Sequence, residues 1–279
     1  MSILDSEKSQ NMLSEMRGHR SIAVAFSGGV DSAVVAAMAK RALGDKAWAI
    51  TANSETLGAT ELEYAIKLAE EIGIRHEIMA FSELEDDNFV ANTSARCFFC
   101  QSMRFDKLKE MAAKVSVDIV ASGTNIDDLS DHRPGLKAMS DRKIYQPLLV
   151  HQFTKSEVRE LAKNLGLSCW NRPAKACLSS RIPHGLSVTF QRLQMIEIAE
   201  DALMENKFLQ FRIRHHDGLA RIETSPEEQL RFLNHPNRAF MIERILGAGF
   251  DRVCFDLRGY RQGSLNPTQG VLSPPLGEG

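Results

Sequence analysis

Residues 22–32 constrain the fold of this chain more than any other stretch. An apolar run of strand length, residues 22–26, ends at Ser27-Gly28-Gly29, and apolar residues at helical spacing begin at Val30. Adjacent glycines allow positive φ and the close approach of an anion, and the start of a helix directs its N–H groups into the turn. The pattern predicts a strand, a helix and, between them, a phosphate-binding turn formed by Ser27, Gly28, Gly29, Val30, Asp31 and Ser32.

Strands that alternate with helices make up the first half of the chain. We predict strands at residues 21–26, 48–51, 75–79 and 118–122, with helices between them. The last of these helices is expected from about Ser102 to Val115. This alternation is typical of an α/β fold with a doubly wound, mostly parallel sheet, whose ligands bind at the carboxyl ends of the strands.

A smaller α+β domain is predicted in the C-terminal part. A helix at residues 189–204 precedes a hairpin that turns through Asp217-Gly218, and Pro236 interrupts a later helical segment. We divide the chain into a nucleotide-binding domain at 1–166, a connecting catalytic loop at 167–185, a small domain at 186–261 and a disordered tail at 262–279.

A second glycine turn follows the strand expected at residues 118–122. It brings Gly123 and Asn125 to the same edge of the sheet as the first turn, so both are candidate nucleotide-binding residues. Mg²⁺ prefers a few carboxylates together with phosphate oxygens, which makes Asp31 and Asp128 its candidate ligands and Asp127 the alternative to Asp128. Turn chemistry alone also explains these two adjacent aspartates.

Charge and cysteine content exclude several classes of protein. A net charge of −2 gives no general attraction to nucleic acid or membranes, and residues 186–260 hold ten Lys or Arg against eleven Asp or Glu. No run of about 18 apolar residues occurs. Five cysteines, an odd number, argue against a secreted disulfide framework. We expect a soluble cytoplasmic protein that binds neither nucleic acid nor a membrane.

The first glycine turn also carries a family resemblance. Its sequence Ser-Gly-Gly-Val-Asp-Ser resembles the pyrophosphate loop, or PP-loop, of the N-type ATP pyrophosphatases, which cleave ATP to AMP and pyrophosphate. Together with the segments at 123–128, 173–185 and 212–216, it looks like the LarE-type ATP-dependent sulfur transferases, from residue 10 to about 260. These enzymes make the organic part of the nickel-pincer nucleotide cofactor of lactate racemase.

The resemblance implies a reaction that uses ATP. A carboxylate of pyridinium-3,5-biscarboxylic acid mononucleotide attacks the α-phosphate of ATP, which gives an acyl adenylate and pyrophosphate. A sulfur nucleophile then displaces AMP, because AMP is a good leaving group and oxide is not. The process is repeated on the second carboxylate. The family assembles into rings through its smaller domain, so we expect a homo-oligomer such as a hexamer.

The resemblance also implies roles for individual residues. At the matching positions, Cys177 and Arg181 are catalytic. The substrate-binding positions are Ser180, Arg181, Glu200, Arg212, Arg214 and Glu223. Without the resemblance, the charged solvent face of a strand is the preferred explanation of Arg212 and Arg214, and a solvated helix face explains Glu200 equally well.

The sulfur source depends on the cysteines. In one branch of the family, three cysteines matching Cys97, Cys100 and Cys177 hold a [4Fe–4S] cluster whose open iron binds exogenous sulfide, and this chain resembles that branch. In the other branch, the cysteine matching Cys177 gives up its own sulfur. Zinc completed by Cys169 or His184, or a Cys97–Cys100 disulfide, are further interpretations. We otherwise expect Cys169 and Cys254 to be small buried hydrophobic residues.

Other functions use the same kind of nucleotide turn. The acceptor could be a tRNA base, or a carboxylate that is amidated by ammonia. The balanced charge argues against tRNA, and amidation leaves the loop cysteine without a purpose. A nucleotide-binding iron–sulfur sensor without turnover is a third hypothesis, which release of pyrophosphate from ATP excludes.

Overall fold

The chain forms two compact units in a computed structural model that describes residues 2–130, 134–173 and 175–261. The first unit comprises the described residues up to Ala91 and from Ala95 to Ser179. The second combines Asn92–Ser94 with the described residues from Ser180 onward. The tail predicted at 262–279 lies outside the described residues.

The first unit is built from a parallel sheet and helices. Its helices are α1 Glu7–Arg17, α2 Val30–Leu43, α3 Ala59–Ile72, α4 Asp87–Val90, α5 Arg96–Lys114, α6 Pro134–Asp141, α7 Pro147–Val150 and α8 Lys155–Asn164. Its strands are β1 Ile22–Ala25, β2 Ala47–Asn53, β3 Arg75–Ala80 and β4 Ile119–Ala121. Within the described ranges these strands form one parallel sheet in the order β3-β2-β1-β4, which confirms the α/β prediction.

Apolar clusters cover the two faces of this sheet. Alternate residues of a strand face opposite sides. Ile22 and Val24 accordingly belong to a core that includes buried side chains of α1, α2, α3 and α8. Ala23 belongs to a second core, with Phe105 and Leu108 of α5. Full burial of one valine or leucine contributes about 1.5–3 kcal/mol, so both cores hold the sheet between layers of helices.

The order of the strands brings the two glycine turns together. β1 lies beside β4 in the sheet, with Val24 opposite Ala121 in the parallel register. Each strand ends within one residue of that pair, and its glycine turn follows directly. The turns after β1 and β4 therefore leave the same edge of the sheet as neighbours, as the sequence predicted.

The second unit is a small α+β domain. Its elements are α9 Phe190–Glu205, β5 Phe211–His216, β6 Leu219–Thr224, α10 Pro226–Leu233, α11 Arg238–Gly247 and β7 Arg252–Phe255. β6 pairs with β5 in an antiparallel hairpin and with β7 in parallel. The expected turn is present, with positive φ at Asp217 and Gly218, and the break near Pro236 separates α10 from α11. No helix among the described residues is both long and apolar enough to span a membrane.

Candidate active site

The first glycine turn connects β1 to α2 with the geometry of an anion site. Gly28 has a φ of 72°, and Gly29 is the N-cap residue of α2. The Ser32 hydroxyl donates to the Gly29 carbonyl at 3.0 Å and accepts from the Ser27 amide at 3.3 Å, which closes the loop on itself. Val30, Asp31 and Ser32 form the first turn of α2, where backbone N–H groups and the helix dipole favour a phosphate.

The second glycine turn touches the first through its backbone. A Cβ added at Gly123 would lie 2.6 Å from the Ser32 nitrogen and 2.8 Å from the Asp31 carbonyl carbon. Asn125 crosses to the first turn as well, because its Nδ2 donates to Asp31 Oδ1 at 3.0 Å. The structure therefore brings together all the residues that we predicted to bind the nucleotide.

Asp31 also contacts a lysine that sequence reasoning missed. The Nζ of Lys155 forms a hydrogen-bonded ion pair with Asp31 Oδ2. Lys155 is the first residue of α8, after the N-cap Thr154 and its capping box with Glu157. The capping-box pattern at Thr154 and Glu157 is visible in the sequence and marks the start of α8, but nothing in it connects Lys155 to a loop more than a hundred residues earlier.

The two aspartates of the second turn have separate local partners. Asp128 Oδ2 accepts from the Asn125 amide at 3.1 Å, and Asp127 Oδ2 accepts from the Lys155 amide at 2.6 Å. Asp128 thus stabilises its own turn, whereas Asp127 stabilises the first turn of α8. A Mg²⁺ ion held by Asp31 and Asp128 stays a prediction.

The C-x-x-C motif lies inside a helix. We expected the helix to begin near Ser102, but α5 begins at Arg96, because residues 96–101 contain neither glycine nor proline to prevent it. Cys97 and Cys100 are therefore three residues apart on one helix and lie on the same side of it. Cys97 is exposed and Cys100 is buried.

Cys177 lies close enough to Cys97 and Cys100 to interact electrostatically with both thiols. Although Cys97 has exposed surface, enough protein surrounds its thiol that burial raises its pKa, and Cys177 raises it further. Burial also raises the pKa of Cys100, to about 12, with Glu83 and Cys177 contributing in the same direction. In the described part of the chain, no three His, Cys, Asp or Glu residues are arranged so that they could hold a metal ion.

The other two cysteines differ from each other. Cys169 is completely buried in the core with Leu161 and Leu167, as predicted, which argues against its use as a zinc ligand. Cys254 is only partly buried, so the prediction was wrong for it. None of the five cysteines is in a disulfide bond, so Cys97 and Cys100 are not linked to each other.

An arginine cluster lies in the second unit. The guanidinium of Arg181 is 2% exposed and binds Glu200 with two parallel bonds, Nε to Oε1 at 2.9 Å and Nη2 to Oε2 at 2.8 Å. Its Nη1 donates to the Ser180 hydroxyl at 3.0 Å. Arg214 donates to the Ser180 carbonyl at 3.0 Å and to Glu223 at 3.0 Å. Ser180 therefore lies between two fixed guanidinium groups.

The strand arginines are buried, although a solvated strand face was the alternative. Arg212 and Arg214 are 8% and 5% exposed, and Glu223 has no exposed surface. Desolvation, followed by the nearby charge of Arg181, lowers the pKa of Arg212. Burial of several positive charges costs free energy. Such a cluster is therefore better explained as a site that binds an anion than as a surface that only faces water. The six predicted substrate residues thus belong to one cluster.

Comparisons with known proteins agree with this geometry. The asparagine synthase family matches residues 10–93, which contain the first glycine turn. The chain is 35% identical to the pyridinium-3,5-bisthiocarboxylic acid mononucleotide synthase of Lactiplantibacillus plantarum, over 94% of both chains. It is also 41% identical to a protein of Synechocystis sp., over 87% of this chain and 91% of that one.

Relatives of lower identity match a shorter part of the chain. The chain is 28% identical to a glutamine-hydrolysing GMP synthase of Thermococcus kodakarensis, over 58% of this chain and 56% of that one. This similarity covers less of the chain than that to the L. plantarum enzyme. On the strength of that nearly full-length match and of the PP-loop, this chain belongs to the family of LarE-type ATP-dependent sulfur transferases, which are built on the PP-loop fold.

Proposed function

We propose that this chain uses ATP to convert carboxylates of pyridinium-3,5-biscarboxylic acid mononucleotide into thiocarboxylates. The name of the L. plantarum relative supports the choice of substrate. The observation that carries the proposal is the order of residues after Cys177. A nucleophilic thiol is followed within four residues by Ser180 and Arg181, which belong to a buried cluster of arginines suited to the substrate's phosphate and carboxylates.

The reaction follows from the chemistry of the two turns. The Gly28-Gly29 turn and the first turn of α2 bind the phosphates of ATP, and Asp31 and Asp128 would hold a Mg²⁺ ion that neutralises phosphate charge. A substrate carboxylate oxygen forms a bond to the α-phosphorus as the bond to pyrophosphate breaks. A sulfur nucleophile then forms a bond to the acyl carbon, and AMP leaves with the former carboxylate oxygen.

Lys155 has a second role in this scheme. The ammonium group of Lys155 neutralises Asp31 in the structure. Binding of Mg²⁺ at Asp31 would release that ammonium group, which could then stabilise the negative charge that develops on pyrophosphate. Arg181 and Arg214, each fixed by a carboxylate, orient the mononucleotide without loss of side-chain freedom on binding.

Cys97, Cys100 and Cys177 are the residues that we propose to hold a [4Fe–4S] cluster. Two observations support this choice: the three thiols interact electrostatically, and Cys97 and Cys100 lie on one side of α5. The cluster would draw the thiols together as it binds. When bound, such a cluster offers one iron without a protein ligand, to which exogenous sulfide can bind. Sacrifice of the Cys177 sulfur is the alternative that the experiment below distinguishes.

The test is anaerobic incubation of the protein with ATP, Mg²⁺, the biscarboxylic acid mononucleotide and sulfide. We expect AMP and pyrophosphate to form in step with a product in which sulfur has replaced oxygen, measured by chromatography and mass spectrometry. A pyridinium mononucleotide without carboxylates is the control and should release no pyrophosphate. Amidation with ammonia, thiolation of tRNA, or unchanged ATP would each contradict the proposal. The intact mass of the protein after turnover identifies the sulfur source, because sacrifice converts Cys177 to dehydroalanine.

The raised thiol pKa values predict how metal binding depends on pH. A thiol whose pKa lies above neutrality keeps its proton from about pH 6 to 8, so each of Cys97 and Cys100 must release one proton when it binds iron. The apparent affinity of the metal-free protein for Fe²⁺ should therefore rise with pH, by about tenfold per pH unit for each proton released. Anaerobic competition titrations at several pH values, with Cys100→Ser as the comparison, measure this slope. An affinity that does not change with pH would contradict the assignment.

We also propose that the protein forms a homo-oligomer through its second unit. Exposed apolar side chains of that unit support this, among them Leu209, Leu230 and Phe240. Light scattering of the purified protein tests the proposal, and a monomer at micromolar concentration would contradict it.

A further inference from the structure

A completely buried carboxylate lies beside Cys100. Glu83 has no exposed surface, and its Oε1 accepts hydrogen bonds from the Thr56 hydroxyl at 3.0 Å and from Arg104 Nη2 at 2.9 Å. The Cys100 thiol donates to the same oxygen at 3.5 Å. These hydrogen bonds and the charge of Arg104 stabilise the buried carboxylate, because a buried charge without partners costs several kcal/mol.

Arg104 connects this carboxylate to the cysteines. It lies four residues after Cys100 on α5, so the two side chains are neighbours on one side of the helix. The Arg104 Nη2 is 3.6 Å from the Cys100 sulfur as well as 2.9 Å from Glu83. Its positive charge also acts on Cys97 and on Cys177. One guanidinium therefore interacts with all three proposed cluster ligands.

Two buried atoms of this pair have no hydrogen-bond partner among the described residues, namely Arg104 Nε and Glu83 Oε2. Buried polar atoms in proteins nearly always have a hydrogen-bond partner, so an exception indicates that the partner is a bound ligand and not a group of the protein itself. Arg104 Nε carries an N–H that points to no acceptor in the described part of the chain, next to a sulfur site. A small anion is the ligand that accepts from such a donor.

We propose that Arg104, held in place by Glu83, binds the sulfur anion that this site delivers, hydrosulfide, and donates hydrogen bonds to it beside Cys100. This inference rests on the proposed use of exogenous sulfide. The planar fork of arginine suits the task, because one N–H can remain on Glu83 while another reaches the sulfur. A lysine could supply the charge but not the two fixed directions.

The experiment uses the complete chain and compares three variants. Arg104→Gln combined with Glu83→Gln removes both charges together, so no unpaired charge is left in the interior. Arg104→Lys keeps the charge and removes the fork. Lys107→Gln, which removes an exposed charge three residues further along α5, is the matched control. Thermal unfolding and the KM for ATP show that each variant is folded and binds nucleotide.

The expected result is a rise in the KM for sulfide of about ten- to hundredfold in the double variant, which corresponds to loss of a hydrogen bond to a charged group. Arg104→Lys should give a smaller rise, and Lys107→Gln none. The kcat at saturating sulfide and the KM for ATP should change little. If the role of Arg104 were merely structural, the effect would not be confined to the KM for sulfide.

A second readout does not depend on turnover. Sulfide that stays with the anaerobically prepared protein after gel filtration should fall in the double variant relative to Lys107→Gln. A folded double variant whose KM for sulfide and amount of bound sulfide equal those of the wild type overturns this inference alone. Wild-type protein with no saturable dependence on added sulfide overturns both the inference and the proposed sulfur source.

Discussion

The Cys177→Ala variant is expected to release pyrophosphate from ATP in the presence of substrate but to make no thiocarboxylate. The side chain that is lost is a partly buried thiol whose sulfur contacts the Ser179 hydroxyl at 3.2 Å, so its removal leaves no cavity in either core. In the proposed reaction, adenylation depends on the glycine turns and not on this thiol. Loss of a reacting group lowers turnover by about a thousandfold or more, and here it stops the reaction after its first half.

The measurement separates the two halves of the reaction. Exchange of labelled pyrophosphate into ATP reports adenylation, and mass spectrometry of the nucleotide product reports thiolation. Cys254→Ala is the matched control, because Cys254 is also a partly buried cysteine outside any disulfide and has no proposed role. The variant tests Cys177 under either sulfur source, since the cluster loses a ligand or the donor loses its sulfur. Thiocarboxylate formed by Cys177→Ala at the wild-type rate would exclude Cys177 from the chemistry.

Features that depend on neighbours in the sequence could be predicted. Glycines at 28 and 29 between an apolar strand and an apolar helix specify their turn locally, and the turn is present where expected. Asp217-Gly218 specifies its hairpin in the same way, since both positions need positive φ. Alternation of strands and helices then determines the parallel sheet and the common edge of the two turns.

Features that depend on distant residues could not be predicted. Lys155 and Asp31 are 124 positions apart, and Glu83 and Arg104 are 21 positions apart, so no periodicity connects either pair. The start of α5 was placed too late because a C-x-x-C motif suggests a metal loop more readily than a helix. The arginines of β5 have the alternation of a charged solvent face, and only the tertiary structure reveals that they are buried.

The Gly123→Ala variant is expected to lose most of its affinity for ATP. The backbone of Gly123 does not have positive φ, so alanine would meet no conformational strain of its own. The cost is steric, because the new Cβ would lie 2.6 Å from the Ser32 nitrogen and 2.8 Å from the Asp31 carbonyl carbon. Neither neighbour is a flexible side-chain end that can rotate away. The first glycine turn itself must move, together with the carboxylate of Asp31.

The magnitude follows from the role of the displaced atoms. Overpacking of this kind destabilises a protein by about 1–3 kcal/mol, whereas displacement of positioned groups by about 1 Å can cost about a hundredfold in activity. We therefore expect the KM for ATP to rise by about a hundredfold while the protein remains folded. Gly247→Ala is the control, since nothing among the described residues lies within 4 Å of its added Cβ. Wild-type affinity for ATP in Gly123→Ala would mean that the nucleotide phosphates do not bind at the contact between the two glycine turns.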